Sequence, residues 1–299
     1  MITNIIARMK TLYLMQALLL AGMVAPVPAE EPAAQAPAAD LMTMNQDARC
    51  KQVLVTCLIN GAPMRLMLDT GATHTVLHTE SAARVPNAQW LDTSRMQFKG
   101  NSAQRPKMLL ASLHAGPAES EVHPLMVMDL GAVRSMMAEP VDGILGMDML
   151  QHIPFTFNLR TGEMHWGLPA GLELVPLNAV PDGTGRVVVQ ARCGGKELPL
   201  LLDTGSSVTR VPEDQWAPGA GAEIGAQIGD IDSRKGIKVM EGKPGDIELG
   251  PGVFAKGVAP ILCKAGEGPL ILGMDGLSGV VLVHIPQESI PGGVFLLAR

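Results

Sequence analysis

Leu66-Met67-Leu68-Asp69-Thr70-Gly71-Ala72-Thr73 recurs as Leu200-Leu201-Leu202-Asp203-Thr204-Gly205-Ser206-Ser207, displaced by 134 residues. The displacement holds upstream without a gap: Val53-Leu54-Val55 and Gly61 are matched by Val187-Val188-Val189 and Gly195. A second block follows each copy in the same order, Gly143-Ile144-Leu145-Gly146-Met147-Asp148 in the first half and Leu270-Ile271-Leu272-Gly273-Met274-Asp275 in the second. Two copies are too few for a solenoid. They describe a duplicated lobe with a pseudo-twofold axis between the halves.

Working outward, Val53 to Leu58 and Val187 to Ala191 are β-branched runs that end at Asn60-Gly61 and Gly194-Gly195. Such dipeptides between apolar runs signal hairpins. The return strands, Met64 to Leu68 and Leu198 to Leu202, deliver each Asp to a turn. Further strands are predicted at 75–77, 108–113, 124–128, 153–159, 253–261 and 280–284. Only 147–152 and the matching 275–277 suggest a short helical turn. The domains expected are a leader over 1–29, a Pro/Ala-rich linker over 30–46, and two mostly β lobes over 47–170 and 171–299. The lobes are joined around Gly167 to Gly185, a stretch that carries Pro169, Pro176 and Pro181.

Duplication brings the two Asp side chains together near the axis. Carboxylates that close cannot both ionise cheaply, so their titrations split and the pair shares a proton. One then acts as base on a bound water while the other, protonated, donates to a carbonyl oxygen. That suits amide hydrolysis without metal, cofactor or covalent intermediate. Thr70 and Thr204 place hydroxyls where they can bond across the axis. Gly71 and Gly205 omit a Cβ so that the loops approach closely, and Thr73 and Ser207 can satisfy backbone groups of their own loops. The apolar segments Ile144-Leu145-Gly146 and Ile271-Leu272-Gly273 are expected to pass beside the loops and brace them.

Composition narrows the field. The chain has 299 residues and a net charge of −6, which falls to −8 once a leader holding Arg8 and Lys10 is removed. That acidity excludes a general nucleic-acid binder and a polybasic membrane-surface protein. With 47% hydrophobic and 17% charged residues the chain is too apolar to be disordered. Gly 33 and Pro 23 favour short strands joined by turns. Arg8 and Lys10 precede the apolar run from Leu12 to Val24, and Val27-Pro28-Ala29 supplies small residues at its exit. This is the pattern of a signal peptide, too short for a membrane span of roughly 20 residues. Met23 stands where a lipid anchor would need Cys, so an exported protein, periplasmic or secreted and without a stable membrane anchor, is expected. Cys50, Cys57, Cys193 and Cys263 form no C-x-x-C pair. One or two disulfides and buried free thiols are equally compatible with them.

The paired Asp69-Thr70-Gly71-Ala72 and Asp203-Thr204-Gly205-Ser206, each with its hydrophobic-hydrophobic-Gly partner, resemble the aspartic proteases of the pepsin and retroviral-protease type. Within that family Asp142-Gly143-Ile144-Leu145-Gly146-Met147-Asp148 is most similar to the retropepsin-like proteins of bacteria, and the resemblance spans residues 47 to 299. It implies an all-β, bilobal acid-protease fold with a substrate cleft between barrel-like lobes. It also implies endopeptidase activity through Asp69 and Asp203 on protein or peptide substrates held in extended form. With both lobes in one chain, a monomer is competent. Two departures stand out. The flap Tyr of pepsin-like enzymes has no counterpart, since the single Tyr is Tyr13 in the leader; the polar stretches Lys99 to Lys107 and Gly229 to Gly236 are the flap candidates. Ala72 in the first loop faces Ser206 in the second, whose hydroxyl can stabilise an ionised Asp. By family analogy the pH optimum is mildly acidic to neutral.

Other chemistry finds little support. His74 and His78 lack a His-Glu-x-x-His frame and are matched by Val208 and Pro212 in the second lobe, so no metal is expected. Gly100-Asn101-Ser102-Ala103-Gln104 lacks the last Gly of a nucleophile elbow. Gly229 to Arg234 puts Arg where a calcium loop needs oxygen. The alternatives that remain are a catalytically silent relative that binds peptide or a partner, and a processing protease with a single native substrate.

Overall fold

The structure is a computed structural model that describes residues 44–93, 107–161, 163–168, 170–230, 233–288, 290 and 292–298. The expected leader and nearly all of the linker lie outside the described residues, as does Lys99–Lys107 apart from Lys107 itself. Among the described residues, no helix is long and apolar enough to cross a membrane.

The architecture is nearly all β, with barrel and half-barrel sheets of the acid-protease type. Three sheets carry it. The first runs in the order Met44–Gln46, Val53–Ile59, Ala62–Leu68, Gly143–Leu145, Val76–His78, Ala118–Met128, Lys107–Ala115, Gln89–Leu91. A further pairing between Val53–Ile59 and Lys107–Ala115 closes it on itself. Another sheet uses strands from Ala179–Pro181 to Ile271–Leu272. Both repeat one local plan. The strand ending at the motif Asp pairs in parallel with the Ile-Leu strand, which pairs antiparallel with the strand after the motif. Both two-residue turns in front of the motif strands are left-handed throughout, at Asn60 (φ 47°) and Gly61 (φ 78°), and at Gly194 (φ 56°) and Gly195 (φ 81°). This geometry matches the twist of the flanking strands.

The third sheet joins the halves. Its order is Glu163–Trp166, Phe155–Asn158, Val281–Ile285, Val294–Ala298, Leu174–Pro176. Phe155 to Asn158 therefore pair with the distant Val281 to His284. At the centre Phe155 stacks on Phe157 with ring centroids 4.6 Å apart and on His284 at 4.8 Å, and His284 leans on Phe295 at 4.7 Å. One buried apolar cluster runs from Val53, Leu66 and Leu145 through Phe155, Phe157 and Leu282 to Leu200 and Leu272.

Several elements differ from the sequence expectation. The strand expected over 253–261 breaks at Ala259-Pro260, because proline has no N–H for a ladder. Val253–Val258 pairs with Gly245–Gly250, while Ile261–Cys263 pairs with Arg210–Pro212 and Ser233–Gly242. The helical turns are Met147–Leu150 and Met274–Leu277, and among the described residues unanticipated α-helices occur at Thr79–Ala82 and Gly131–Met136, with a 3-10 turn at Glu213–Gln215. None is long enough to display a periodic apolar face. The expected lobe connection contains two short strands, Leu174–Pro176 and Ala179–Pro181.

Because Phe155 is fully buried at the junction, Phe155→Ala is expected to cost about 3–5 kcal/mol. Chemical denaturation followed by far-UV and near-UV signals measures this. A loss below about 1 kcal/mol would contradict the central role of this aromatic stack.

Candidate active site

Asp69 and Asp203 each emerge from a buried strand at the point where the Ile-Leu strand ends. Their backbone N–H groups donate to Leu145 O (3.0 Å) and Leu272 O (3.1 Å). Each carboxylate then receives two backbone donors from its own loop. Gly71 N (2.8 Å) and Ala72 N (3.0 Å) donate to Asp69 Oδ1, and Gly205 N (2.9 Å) and Ser206 N (3.0 Å) donate to Asp203 Oδ1. Each carboxyl lies against the glycine of the opposite loop, close enough for the Asp203 charge to bear on Asp69. Glycine is required beside them: a Cβ on Gly71 would overlap the Asp203 carboxyl, and one on Gly205 the Asp69 carboxyl.

Thr70 and Thr204 tie the loops together reciprocally. Thr70 Oγ1 donates to Leu202 O (2.8 Å) and accepts from Thr204 N (3.1 Å). Thr204 Oγ1 donates to Leu68 O (3.0 Å) and accepts from Thr70 N (3.1 Å). Both threonines are buried, so each hydroxyl satisfies a donor and an acceptor that water does not reach.

The Ile144-Leu145-Gly146 and Ile271-Leu272-Gly273 segments lie directly alongside. Gly146 and Gly273 have no room for a Cβ, which would strike the backbone of His74 and Val208 at 2.5 Å. Met147 N and Met274 N donate to Ala72 O (2.8 Å) and Ser206 O (2.9 Å), closing each loop from below. Their neighbours, Asp148 and Asp275, grip the threonine that follows each motif. Thr75 donates through N (2.8 Å) and Oγ1 (2.7 Å) to Asp148, and Thr209 Oγ1 donates to Asp275 (2.6 Å). Thr75 and Thr209 are related by the same displacement as the motifs, the one signal that would have exposed them in the sequence.

Several hydroxyls act differently from the sequence expectation. Ser206 Oγ donates to Val208 O (2.9 Å), so the second loop, like the first, holds its Asp through backbone N–H groups. Thr73 Oγ1 meets His74 Nδ1 (2.8 Å), and Ser207 Oγ accepts from Gln52 Nε2 (2.7 Å) rather than bonding the backbone of its own loop. His78 is buried, its Nδ1 accepting from Leu130 N (2.9 Å), while His74 is exposed. The four cysteines are free thiols, with Cys57, Cys193 and Cys263 buried. Gly229–Gly236 falls at the end of the antiparallel hairpin formed by Ala220–Asp230 and Ser233–Gly242, with 231–232 outside the described residues.

Electrostatics separates the paired groups. Burial raises the Asp69 carboxyl well above the ordinary carboxylate range, and the Asp203 charge adds to it. Burial also raises Asp203, opposed by hydrogen bonds from Asp69, Gly205 and Ser206 and by the Arg186 charge. For Asp148, burial is outweighed by hydrogen bonds from His123 and Thr75, and its carboxyl is lowered. For Asp275, burial prevails over the bonds from Thr209 and Gly276, and its carboxyl is raised.

A family model described as aspartyl protease matches residues 55–149, a segment that holds Asp69 and Ile144-Leu145-Gly146. The match supports an aspartic protease family for this chain. No curated protein matches the chain.

A carboxyl whose folded-state titration is raised binds more protons in the native than in the unfolded state. Its burial therefore destabilises the fold as pH rises above the unfolded carboxylate range. Asp203→Asn is expected to raise the melting temperature at pH 7, with the gain shrinking as pH is lowered through that range. Thermal melts of wild type and variant between pH 4 and 8 test this. An equal melting temperature at every pH would contradict it.

Proposed function

We propose that this chain is an exported aspartic endopeptidase. In this reading one member of the Asp69/Asp203 pair takes a proton from a bound water as the water oxygen attacks the amide carbon. The other, protonated, donates to the carbonyl oxygen. The first Asp then gives its proton to the amide nitrogen while the second takes one back from a hydroxyl of the tetrahedral intermediate, so that the C–N bond breaks, acid and amine leave, and the pair again holds a single proton. The observation that carries the reading is the pairing of two buried carboxyls, one from each half of the chain, in loops locked by reciprocal threonine bonds. Two carboxyls that share a proton offer a base and an acid at one point without help from a metal. The match of residues 55–149 to an aspartyl protease family model supports the peptidase class.

Export rests on the leader signals at Arg8, Lys10 and the apolar run after them. A substrate in extended form suits a site flanked by β structure, because strand-like backbone bonding reads main chain and leaves side chains for selectivity. The long hairpin Ala220–Asp230/Ser233–Gly242 is the element this reading assigns to cover bound peptide. Since both halves of the pair come from one chain, a monomer suffices.

Digestion of a mixed peptide library across pH 3 to 8 provides the test. Cleavage is expected from the wild type with an optimum that is mildly acidic to neutral, and is expected to fall at least 10³-fold in both Asp69→Asn and Asp203→Asn. Activity that persists in both folded variants would rule out the pair as the catalyst. A folded wild type that cleaves nothing would turn the reading toward a peptide-binding protein or a protease with one dedicated substrate.

A further inference from the structure

The two Asp-Thr-Gly loops are equivalent in backbone, and one pair of side chains beside them is not. Gln52 and Arg186 stand immediately before the strands Val53–Ile59 and Val187–Cys193, and the motif displacement maps one onto the other. They make the same contact in opposite directions. Gln52 Nε2 donates to Gly205 O (3.2 Å) in the second loop, and Arg186 Nη1 donates to Gly71 O (3.3 Å) in the first. Gly71 is the residue against which the Asp203 carboxyl packs, and Gly205 is the one against which Asp69 packs. A cation thus sits one residue from Asp203, while a neutral amide occupies the matching place beside Asp69.

We infer that Arg186 breaks the symmetry of the pair, holding Asp203 as the carboxylate that activates water and leaving the shared proton on Asp69. This rests on the aspartic-protease reading above and assigns the acid and base roles within it. Arg186 is a positioning residue, since it acts through charge and through the Gly71 carbonyl. A cation near a carboxylate favours the ionised form, and does so more strongly where the surroundings exclude water.

The other charged groups bonded to Arg186 or to the elements that brace the loops do not supply this bias. Asp182 accepts from Arg186 Nε (2.8 Å) and Nη2 (2.7 Å), on the face of the guanidinium that does not reach Gly71. It fixes the guanidinium plane and weakens the field without reversing it. Asp148, held by His123, and Asp275 belong to the two helical turns and each faces its own threonine, Thr75 or Thr209. His74 is exposed and bonded to Thr73. The direction of the carboxyl titrations agrees with the geometry. Both are raised by burial, and the Arg186 charge opposes the rise at Asp203.

The test is a carboxyl titration by NMR with ¹³C-labelled aspartate, assigned with Asp69→Asn and Asp203→Asn, run beside the pH dependence of kcat/KM. In the wild type Asp203 is expected to ionise at lower pH than Asp69. Arg186→Gln keeps a donor for Gly71 O, as Gln52 does for Gly205 O, but removes the charge. It is expected to move the Asp203 titration and the acidic limb of kcat/KM upward by roughly 0.5 to 1 pH unit. Arg186→Lys is expected to restore most of the shift, and the exchange Gln52→Arg with Arg186→Gln to invert the order of ionisation. Asp69 ionising first in the wild type, or Arg186→Gln titrating as the wild type does, would overturn the inference. The titration reads the pair whether or not peptide is cleaved. A wild type with the expected order and no cleavage of the peptide library would therefore overturn the general endopeptidase reading and uphold the role of Arg186 in ordering the pair.

Discussion

The reciprocal bonds between Thr70 and Thr204 are the constraint on which the rest of the site depends. Each hydroxyl accepts from the opposite loop's N–H and donates to the carbonyl of the residue two places before the other threonine, so neither loop is satisfied alone. A buried donor left without its partner costs about 1–3 kcal/mol. Four such groups converge at one point, and separating the loops would expose all of them together. The distance between the carboxyls is therefore set by the backbone rather than by side-chain rotamers. That rigidity is needed where two carboxyls are to be held so close that only one of them ionises readily.

Around this point the fold supplies successive supports, each removing one freedom. The Ile-Leu strand holds the backbone N–H of each Asp, the glycine after it lets His74 or Val208 pass, and the following Asp captures Thr75 or Thr209. The supports are not identical. Asp148 has His123 as a further partner and is stabilised as an anion, whereas Asp275 has backbone and threonine donors alone and is burdened by its burial. The backbone frame around the pair is alike on its two sides, and single residues such as Gln52, Arg186 and His123 give those sides different electrostatics.

Much of this was legible in the sequence, for a physical reason. Asp69, Asp203 and the two apolar-apolar-Gly segments carry constraints that few residue types satisfy, so the repeated pattern betrays them. The hairpin turns at Asn60-Gly61 and Gly194-Gly195 were legible for the same reason, since left-handed backbone selects glycine and asparagine. Hydroxyl partners were not. Ser206, Ser207 and Thr73 each have several acceptors within reach, and tertiary packing decides among them. The helices at Thr79–Ala82 and Gly131–Met136 are too short to show a period. Gln52 and Arg186 escaped notice because they differ, and attention to a repeat favours what is the same.

The joining sheet has a consequence for how the molecule is made. Phe155 to Asn158 find their partners only when Val281 to Ile285 arrive, and the strand Val294–Ala298 lies between Val281–Ile285 and Leu174–Pro176. A chain emerging in order thus holds its first half, with Asp69 in place, beside a seam left unfilled until nearly the end of synthesis. Pairings this distant in sequence form slowly. The seam is consequently the last thing assembled, and a chain whose second half is still being made carries one carboxyl without its mate.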